Sequence, residues 1–469
     1  MNTTAETPVF NVTRRLPPAL CQLPATSSET AAGASGPRRR GWLQALRPIA
    51  CLALAVNAPA PWGCSNASGD QAETSDGAAD PRRQRGSGGA VKVEAAAKGE
   101  DAAQEVVPPP SPRFLQVRQQ TTAEEAADVL ATVEIETPVF HPNVQGLRED
   151  LEFFREVTAI HVGQEVSPIR PEDDDERLWT SLGFVPVSAS TYRREADLTG
   201  ELADLVPTNS SQLSEIDSIA IVSVDRSDDG EPYLYRTLRS LFAAFPPDVQ
   251  VNVLVGNADA RYVAFDRLAD AVGADNARRV HAWPTSEATA NFLRDHLEPS
   301  RRGGWNTVRS LRSYRGSKGL LLMEDDIIWA EQAIIPFNDA IKARPVAAFS
   351  LYNNRCQALS TVISPEVGEV LAHASPDTSP LIVAEVDTRV YGFDCMQAVY
   401  YAATLPGPLG RYTHRRMHTM SHDCSVGRFF TENEAVIGYP FPSLVQHIGT
   451  KSAYHTWAFH YSPCFRERL

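Results

Sequence analysis

Residues 319–329 read GLLLMEDDIIW, which sets three consecutive carboxylates, Glu324, Asp325 and Asp326, between two runs of core-forming residues. Leu320, Leu321, Leu322 and Met323 lead in, and Ile327, Ile328 and Trp329 lead out. Charges held between such flanks lose their hydration, so some partner must offset the desolvation. A solvated loop is the ordinary setting for an acidic triplet, and the apolar flanks argue against it here. The run after Gly319 is short and continuous, as expected of a central strand buried on both faces, and the carboxylates then emerge at its carboxyl end. Adjacent carboxylates raise one another's pKa unless a cation sits among them. Hard oxygen ligands favour Mg²⁺ or Mn²⁺ over zinc, and such an ion commonly holds a diphosphate.

The surrounding sequence supplies the sheet that this strand needs. From Ile216 onward, strand and helix patterns alternate. SIAIVSV reads as a buried strand, and YLYRTLRSLFAAF as a helix with Leu234, Leu238, Leu241 and Phe245 on one face, stopped by PP. VQVNVLVGN, ARYVAFDRLADAV and RRVHAWP continue as strand, helix and strand. Helical stretches around NFLRDHL and WNTVRSLRSYRGS precede GLLLM, and a helix near AEQAIIPFNDAIKA precedes the strand VAAFSLY. This succession predicts an α/β fold with a mainly parallel sheet and flanking helices. Ligands in such sheets gather at the carboxyl ends of the strands, where the triplet falls.

The 469-residue chain divides into three parts by composition. Residues 1–114 are rich in Ala, Pro, Gly and Ser and carry too few large apolar residues to order themselves, so they are expected to be a disordered tail. Within it, residues 38–64 set Arg38, Arg39 and Arg40 before a short apolar stretch that ends near Cys64. That pattern suits an export signal, in one form a lipoprotein signal with Cys64 lipidated, and so offers membrane attachment and an exported or membrane-associated location. Without that reading the protein would be cytoplasmic. Residues 115–215 read as a stem or N-terminal subdomain, with an amphipathic helix in GLREDLEFFREVTAI carrying Leu147, Leu151, Phe154 and Val157 on one side. Residues 216–469 form the expected catalytic domain.

Charge narrows the partners. The chain has 44 basic and 58 acidic residues, net −14, and no Lys/Arg-dense stripe after residue 120, which disfavours nucleic acid. Cys356, Cys395, Cys424 and Cys464 lack C-x-x-C spacing, so zinc is disfavoured and one or two disulfides are expected of an exported protein.

MEDDII, the helix with WNTVRSLRSY, the strand ending IVSVDR and the later FPSLVQHIGTKSAYH together resemble the branching N-acetylglucosaminyltransferases of the type IV family. The resemblance spans about residues 216–455. It implies a glycosyltransferase-A, Rossmann-like nucleotide-sugar fold. It also implies Mn²⁺ or Mg²⁺ as cofactor, a UDP-sugar donor and a glycan acceptor, with N-acetylglucosamine the leading sugar. By the same resemblance Asp326 and His447 hold the metal, Glu324 and Asp325 contact ribose or water in its shell, and Asp225 and Arg226 meet the nucleotide. VYGFDCMQAVYYA shapes the donor and acceptor pocket, and Asp423 in HTMSHDCSVGRFF is the catalytic base. The chain departs from the family where SVDR replaces a proline-containing TVKR. A neighbouring group with the same triplet transfers N-acetylgalactosamine to glycolipid anchors, and an inactive surface glycan-binding module is a further alternative.

With one base and no second carboxylate poised as nucleophile, direct displacement with inversion is expected. The residues also have plainer readings. His447 could be structural, and Asp423 could cap the helix SVGRFF. Arg411, His414, Arg415, Arg416 and His418 could meet phosphate or lie on a solvated loop, and Trp305 and Trp457 could stack on sugar rings or pack in a core.

Overall fold

The strand and helix patterns assemble as an eight-stranded mixed sheet in a computed structural model. The structure describes residues 115–117, 140, 142–353 except 229, 257, 258 and 345, 381–450 except 394 and 395, and 462 and 464–467. The expected tail with its 38–64 segment, Cys356, Cys395 and Trp457 lie outside the described residues. Among the described residues no helix is long and apolar enough to cross a membrane.

In chain order the first elements are β1 (Leu115–Val117), α1 (Val144–Thr158), β2 (Glu165–Pro168), α2 (Glu176–Ser181), β3 (Phe184–Ser188) and β4 (Thr191–Arg194). The main sheet follows with β5 (Ser218–Ser223), α3 (Tyr233–Ala244), β6 (Val251–Val255), α4 (Phe265–Val272), β7 (Val280–Pro284), α5 (Glu287–His296), α6 (Pro299–Ser313) and β8 (Gly319–Glu324). After these come β9 (Ile327–Trp329), α7 (Ile334–Ala343), β10 (Ala348–Ser350), β11 (Ile382–Asp387), β12 (Ala398–Ala402), α8 (Pro406–Arg416), α9 (His422–Glu432), β13 (Val436–Phe441) and β14 (Val445–His447).

The sheet order is β11-β13-β10-β12-β8-β5-β6-β7. The run β8-β5-β6-β7 is parallel throughout, and β10 also runs parallel to β13, so four of the seven pairings are parallel. The antiparallel pairings come from β11 and β12. The segment AVYYA, read from sequence only as part of a pocket, is β12, inserted antiparallel between β8 and β10. Its aromatic and β-branched residues are buried on both faces, which suits a central strand.

β8 is buried as its pattern demands. Leu321 and Met323 join Ile219, Ile221, Leu238 and Phe337 on one face, while Leu320 and Leu322 join Ala220, Val399, Leu409 and Phe429 on the other. The entry to β8 is fixed by Asp217, whose Oδ2 accepts from the backbone N–H groups of Ser317 and Lys318 at 2.7 and 2.9 Å. In β6 the fully buried Asn252 donates to the carbonyls of Val206 and Ile219 and accepts from Val206 N–H, tying the preceding segment to the sheet.

The residues before the sheet form a second core. β1-β2-β4-β3 is antiparallel, and α1 packs Phe153, Phe154 and Val157 against Trp179, Phe184 and Tyr192. Asn143 caps α1, its side chain accepting from Gly146 N–H at 3.1 Å. Helix α8 joins this core to the sheet and corrects the reading of the basic cluster as a phosphate site or solvated loop. Arg415 pairs with Asp150 and Asp173 at 3.2 and 3.1 Å, and Arg416 with Asp150 at 3.1 Å. His414 is fully buried, hydrogen-bonds through Nε2 to Ser181 O, and faces Arg312. Burial and the Arg312 charge push its pKa down to about 3, so it stays neutral. Trp305 is buried in a core cluster with Leu293 and Met417, packing against His414, and stacks on no exposed face.

Asp150 is only 2% exposed and pairs with both arginines, so its removal leaves Arg415 with Asp173 and takes the Asp150 ion pair from Arg416. Asp150→Ala is expected to cost about 2–4 kcal/mol in a urea-unfolding experiment, between the values for exposed and fully buried pairs. A loss within experimental error would mean that water replaces the carboxylate without penalty.

Candidate metal and nucleotide site

The triplet lies where β8 ends beside β5, with Glu324 in register with Val222. The next residues of both strands turn toward each other. Asp325 Oδ2 accepts from Ser223 Oγ at 2.7 Å and from Val224 N–H at 3.1 Å, and its Oδ1 accepts from Arg226 Nη2 at 2.7 Å. Tyr262 in turn donates to Ser223 Oγ at 3.0 Å. Arg226 Nη2 also lies 2.7 Å from Asp326 Oδ2, so one guanidinium bridges two of the three carboxylates.

The backbone around the triplet is pinned from α3. Thr237 Oγ donates toward the carbonyls of Asp325 and Ile327 and accepts from Ile327 N–H at 3.1 Å. Thr237 occupies the apolar face of its helix, beside Leu234 and Leu238, and a polar residue on that face was the sequence signal for it.

The far side of the site comes from the end of the sequence. The apolar run after the triplet is β9, and it pairs antiparallel with β14, setting Ile327 opposite His447. His447 Nε2 lies 3.1 Å from Asp326 Oδ2, and Ile448 N–H donates to Asp326 O at 2.8 Å. Gly449 follows, and a Cβ there would overlap Asp326 Oδ2 and meet His447 Nε2 at 3.1 Å. Only glycine lets the backbone approach this closely. Thr450 N–H then donates to Tyr233 OH at 3.1 Å, and the Tyr233 ring lies 5.4 Å from the Arg226 guanidinium carbon.

Glu324, Asp326 and His447 each present a ligand atom, and these atoms lie within 4.8 Å of one another. The set fits a divalent cation: two carboxylates and an imidazole converge, and the buried Asp326 Oδ1 has no hydrogen-bond partner among the described residues. The electrostatics agree. Burial, with Asp326 and Asp423 nearby, pushes Glu324 up to about 8. Burial works against Asp326 as well, but the His447 hydrogen bond and the Arg226 charge outweigh it and hold this carboxyl below its ordinary range. Burial disfavours the charged form of His447, yet its bond to Asp326 prevails and raises its pKa.

Two expected residues lie apart from this cluster. Asp225 is exposed and lines a neighbouring cavity of 530 Å³ with Tyr235, Asp259, Arg261 and Tyr262. Asp423 lies in the first turn of α9 and is half exposed, with His422 Nε2 3.2 Å from its Oδ1. Its charge reaches Glu324. It does not cap the helix: Ser421 does, accepting from Cys424 N–H at 3.4 Å. Cys424 is disulfide-bonded. Ser223, Thr237, Ser421 and Tyr262 are the contributors that the sequence reading missed.

At neutral pH Glu324 tends to hold a proton that a cation must displace, and the raised pKa of His447 adds to that competition. Both folded-state values are raised, so their stabilising contribution is complete below the unfolded values and is lost as pH rises, through about 8 for Glu324. The rise in melting temperature on adding MnCl₂ is therefore expected to be larger at pH 8 than at pH 6, and Glu324→Gln should flatten the difference. An equal rise at both values would separate these two groups from cation binding.

No family model matches the chain, and no curated protein matches it. Solved structures similar to it are glycosyltransferases. The galactosyltransferase LgtC, in complex with donor and acceptor sugar analogues, is 11% identical over 47% of this chain and 72% of its own, with a TM-score of 0.28. The bifunctional glycosyltransferase WbbM, in its apo form, is 8% identical over 47% of this chain and 37% of its own, with a TM-score of 0.28. Mouse xyloside xylosyltransferase 1, also apo, is 12% identical over 45% of this chain and 79% of its own, with a TM-score of 0.26.

Proposed function

We propose that this chain is a metal-dependent inverting glycosyltransferase that moves a sugar, with N-acetylglucosamine the leading candidate, from a UDP-sugar to a hydroxyl of a glycan acceptor. The observation that carries the proposal is the convergence of Glu324, Asp326 and His447 at the carboxyl end of a parallel strand, with one buried carboxylate oxygen of Asp326 lacking a partner among the described residues. In α/β sheets this edge is where nucleotide ligands bind.

Each role follows from placement. The 530 Å³ cavity beside Ser223 offers aromatic and polar walls for a nucleoside, with Asp225 on its lip. Arg226, at the inner end of that same turn, is the donor of choice for a diphosphate because its planar fork matches phosphate oxygens. Mn²⁺ or Mg²⁺ held by Glu324, Asp326 and His447 would supply charge neutralisation for the departing diphosphate. Asp423 takes the acceptor O–H proton as that oxygen bonds to the anomeric carbon, while the bond from that carbon to the diphosphate oxygen breaks and UDP leaves. We read residues 38–64 as the segment that exports the protein or attaches it to a membrane.

Asp326→Ala is expected to abolish Mn²⁺-dependent UDP binding in calorimetry while leaving the fold intact, and unchanged affinity would remove the metal role. A donor-hydrolysis screen over UDP- and GDP-sugars with Mn²⁺ identifies the donor. Because Ser421 supplies the cap, Asp423→Asn should leave stability and donor binding near normal yet lower kcat for transfer by roughly 10²–10⁴. Transfer within a few-fold of wild type would move the base to another carboxylate.

A further inference from the structure

The Arg226 guanidinium is a fixed positive charge at the place where the triplet needs one. Its Nη2 lies 2.7 Å from both Asp325 Oδ1 and Asp326 Oδ2, and its side chain is 19% exposed. The two aspartates differ in what else they hold. Asp325 has two further donors, Ser223 and Val224, and would stay satisfied without the arginine. Among the described residues the Asp326 side chain has His447 and Arg226 as partners, both at Oδ2, and its Oδ1 has none. A cation joining Glu324, Asp326 and His447 would therefore meet a like charge already resting on the same carboxylate.

We propose that Arg226 is a built-in counterion that weakens divalent-cation binding until a nucleoside diphosphate draws the guanidinium away from Asp326, so that cation and nucleotide bind as a coupled pair. This rests on the cation reading given under the proposed function. The chemistry is an exchange of partners. Without nucleotide, Asp326 shares its charge between Arg226 and His447. With nucleotide, phosphate oxygens accept the Arg226 N–H bonds, Asp325 keeps Ser223 and Val224, and Asp326 is left to the cation. Binding of either ligand then favours the other by the same factor. The 5.4 Å separation of the guanidinium from Tyr233 gives the side chain an aromatic face along which to swing without losing all of its stabilisation.

The test measures binding of MnCl₂ by calorimetry, alone and with saturating UDP, in wild type, Arg226→Gln and Arg226→Lys. Removing the charge should tighten binding of Mn²⁺ alone by tenfold or more and shrink the further gain that UDP brings. Arg226→Lys, which keeps the charge, should stay close to wild type for Mn²⁺ alone. A residue that merely supports the fold or merely binds phosphate would leave Mn²⁺ affinity unchanged or weaken it, and either result for a folded Arg226→Gln overturns the proposal. If that variant does not fold, the wild type decides through displacement. UDP must then raise Mn²⁺ affinity in wild type by more than it does in Asp325→Asn, which loosens the arginine's hold on the site, and an equal rise overturns the proposal. Absence of Mn²⁺ binding in every folded variant, wild type included, overturns the cation reading itself and this proposal with it, whereas tight Mn²⁺ binding that ignores residue 226 overturns this proposal alone.

Discussion

The carboxylate of Asp325 is held by a hydroxyl, a backbone N–H and a guanidinium, and the site is built around that three-way grip. Desolvating three adjacent acids would be prohibitive if each stood alone, since an unpaired buried charge costs several kcal/mol even after relaxation. The load is divided unequally. Asp325 is paired within the fold, Asp326 is shared between Arg226 and His447, and Glu324 meets its burial by holding a proton up to about pH 8. Inequality of this kind separates a ligand site from a structural ion pair. The residue with its needs met positions the strand ends, and the residues with unmet needs define where a ligand's charge belongs.

Much of this was legible in the sequence, for identifiable reasons. GLLLM announced a strand buried on both faces, and the structure divides its side chains between two cores as the two-residue period requires. The βα succession up to Glu324 likewise maps onto the parallel run β5-β6-β7 and β8. The antiparallel β12 was not legible, because AVYYA is too short to reveal its direction and its partners lie far away in the chain. Strand order is a property of pairing, and pairing leaves little trace in local periodicity.

The site divides the same way. The carboxylates could be named because charge among apolar residues is conspicuous, whereas His447 was named through the family resemblance. Ser223 could not be named, because a hydroxyl is compatible with either face of an element, and Thr237, conspicuous on the apolar face of α3, reveals its role only through its partners. Arg226 was expected at the nucleotide edge, but its engagement with both aspartates is a matter of side-chain reach that no spacing records. The basic cluster on α8 shows the converse error. Arg415 and Arg416 looked like a surface charge run, and their partners Asp150 and Asp173 sit more than two hundred residues earlier.

The short ladder of β9 with β14 sets Ile327 opposite His447 and so brings that histidine to Asp326, 121 positions earlier. Half of the main sheet can pair early in synthesis, since β5 to β8 are contiguous in sequence and parallel. Asp326 must wait for His447 and for the close backbone approach that Gly449 permits. A nascent chain that has emerged only as far as β12 therefore carries the acidic edge with Arg226 on its aspartates but without His447, and the hands that would grip a cation close only when β14 arrives. On the proposed reading, a cation can be gripped only by chains in which β14 has been made and paired, a dependence written into strand order.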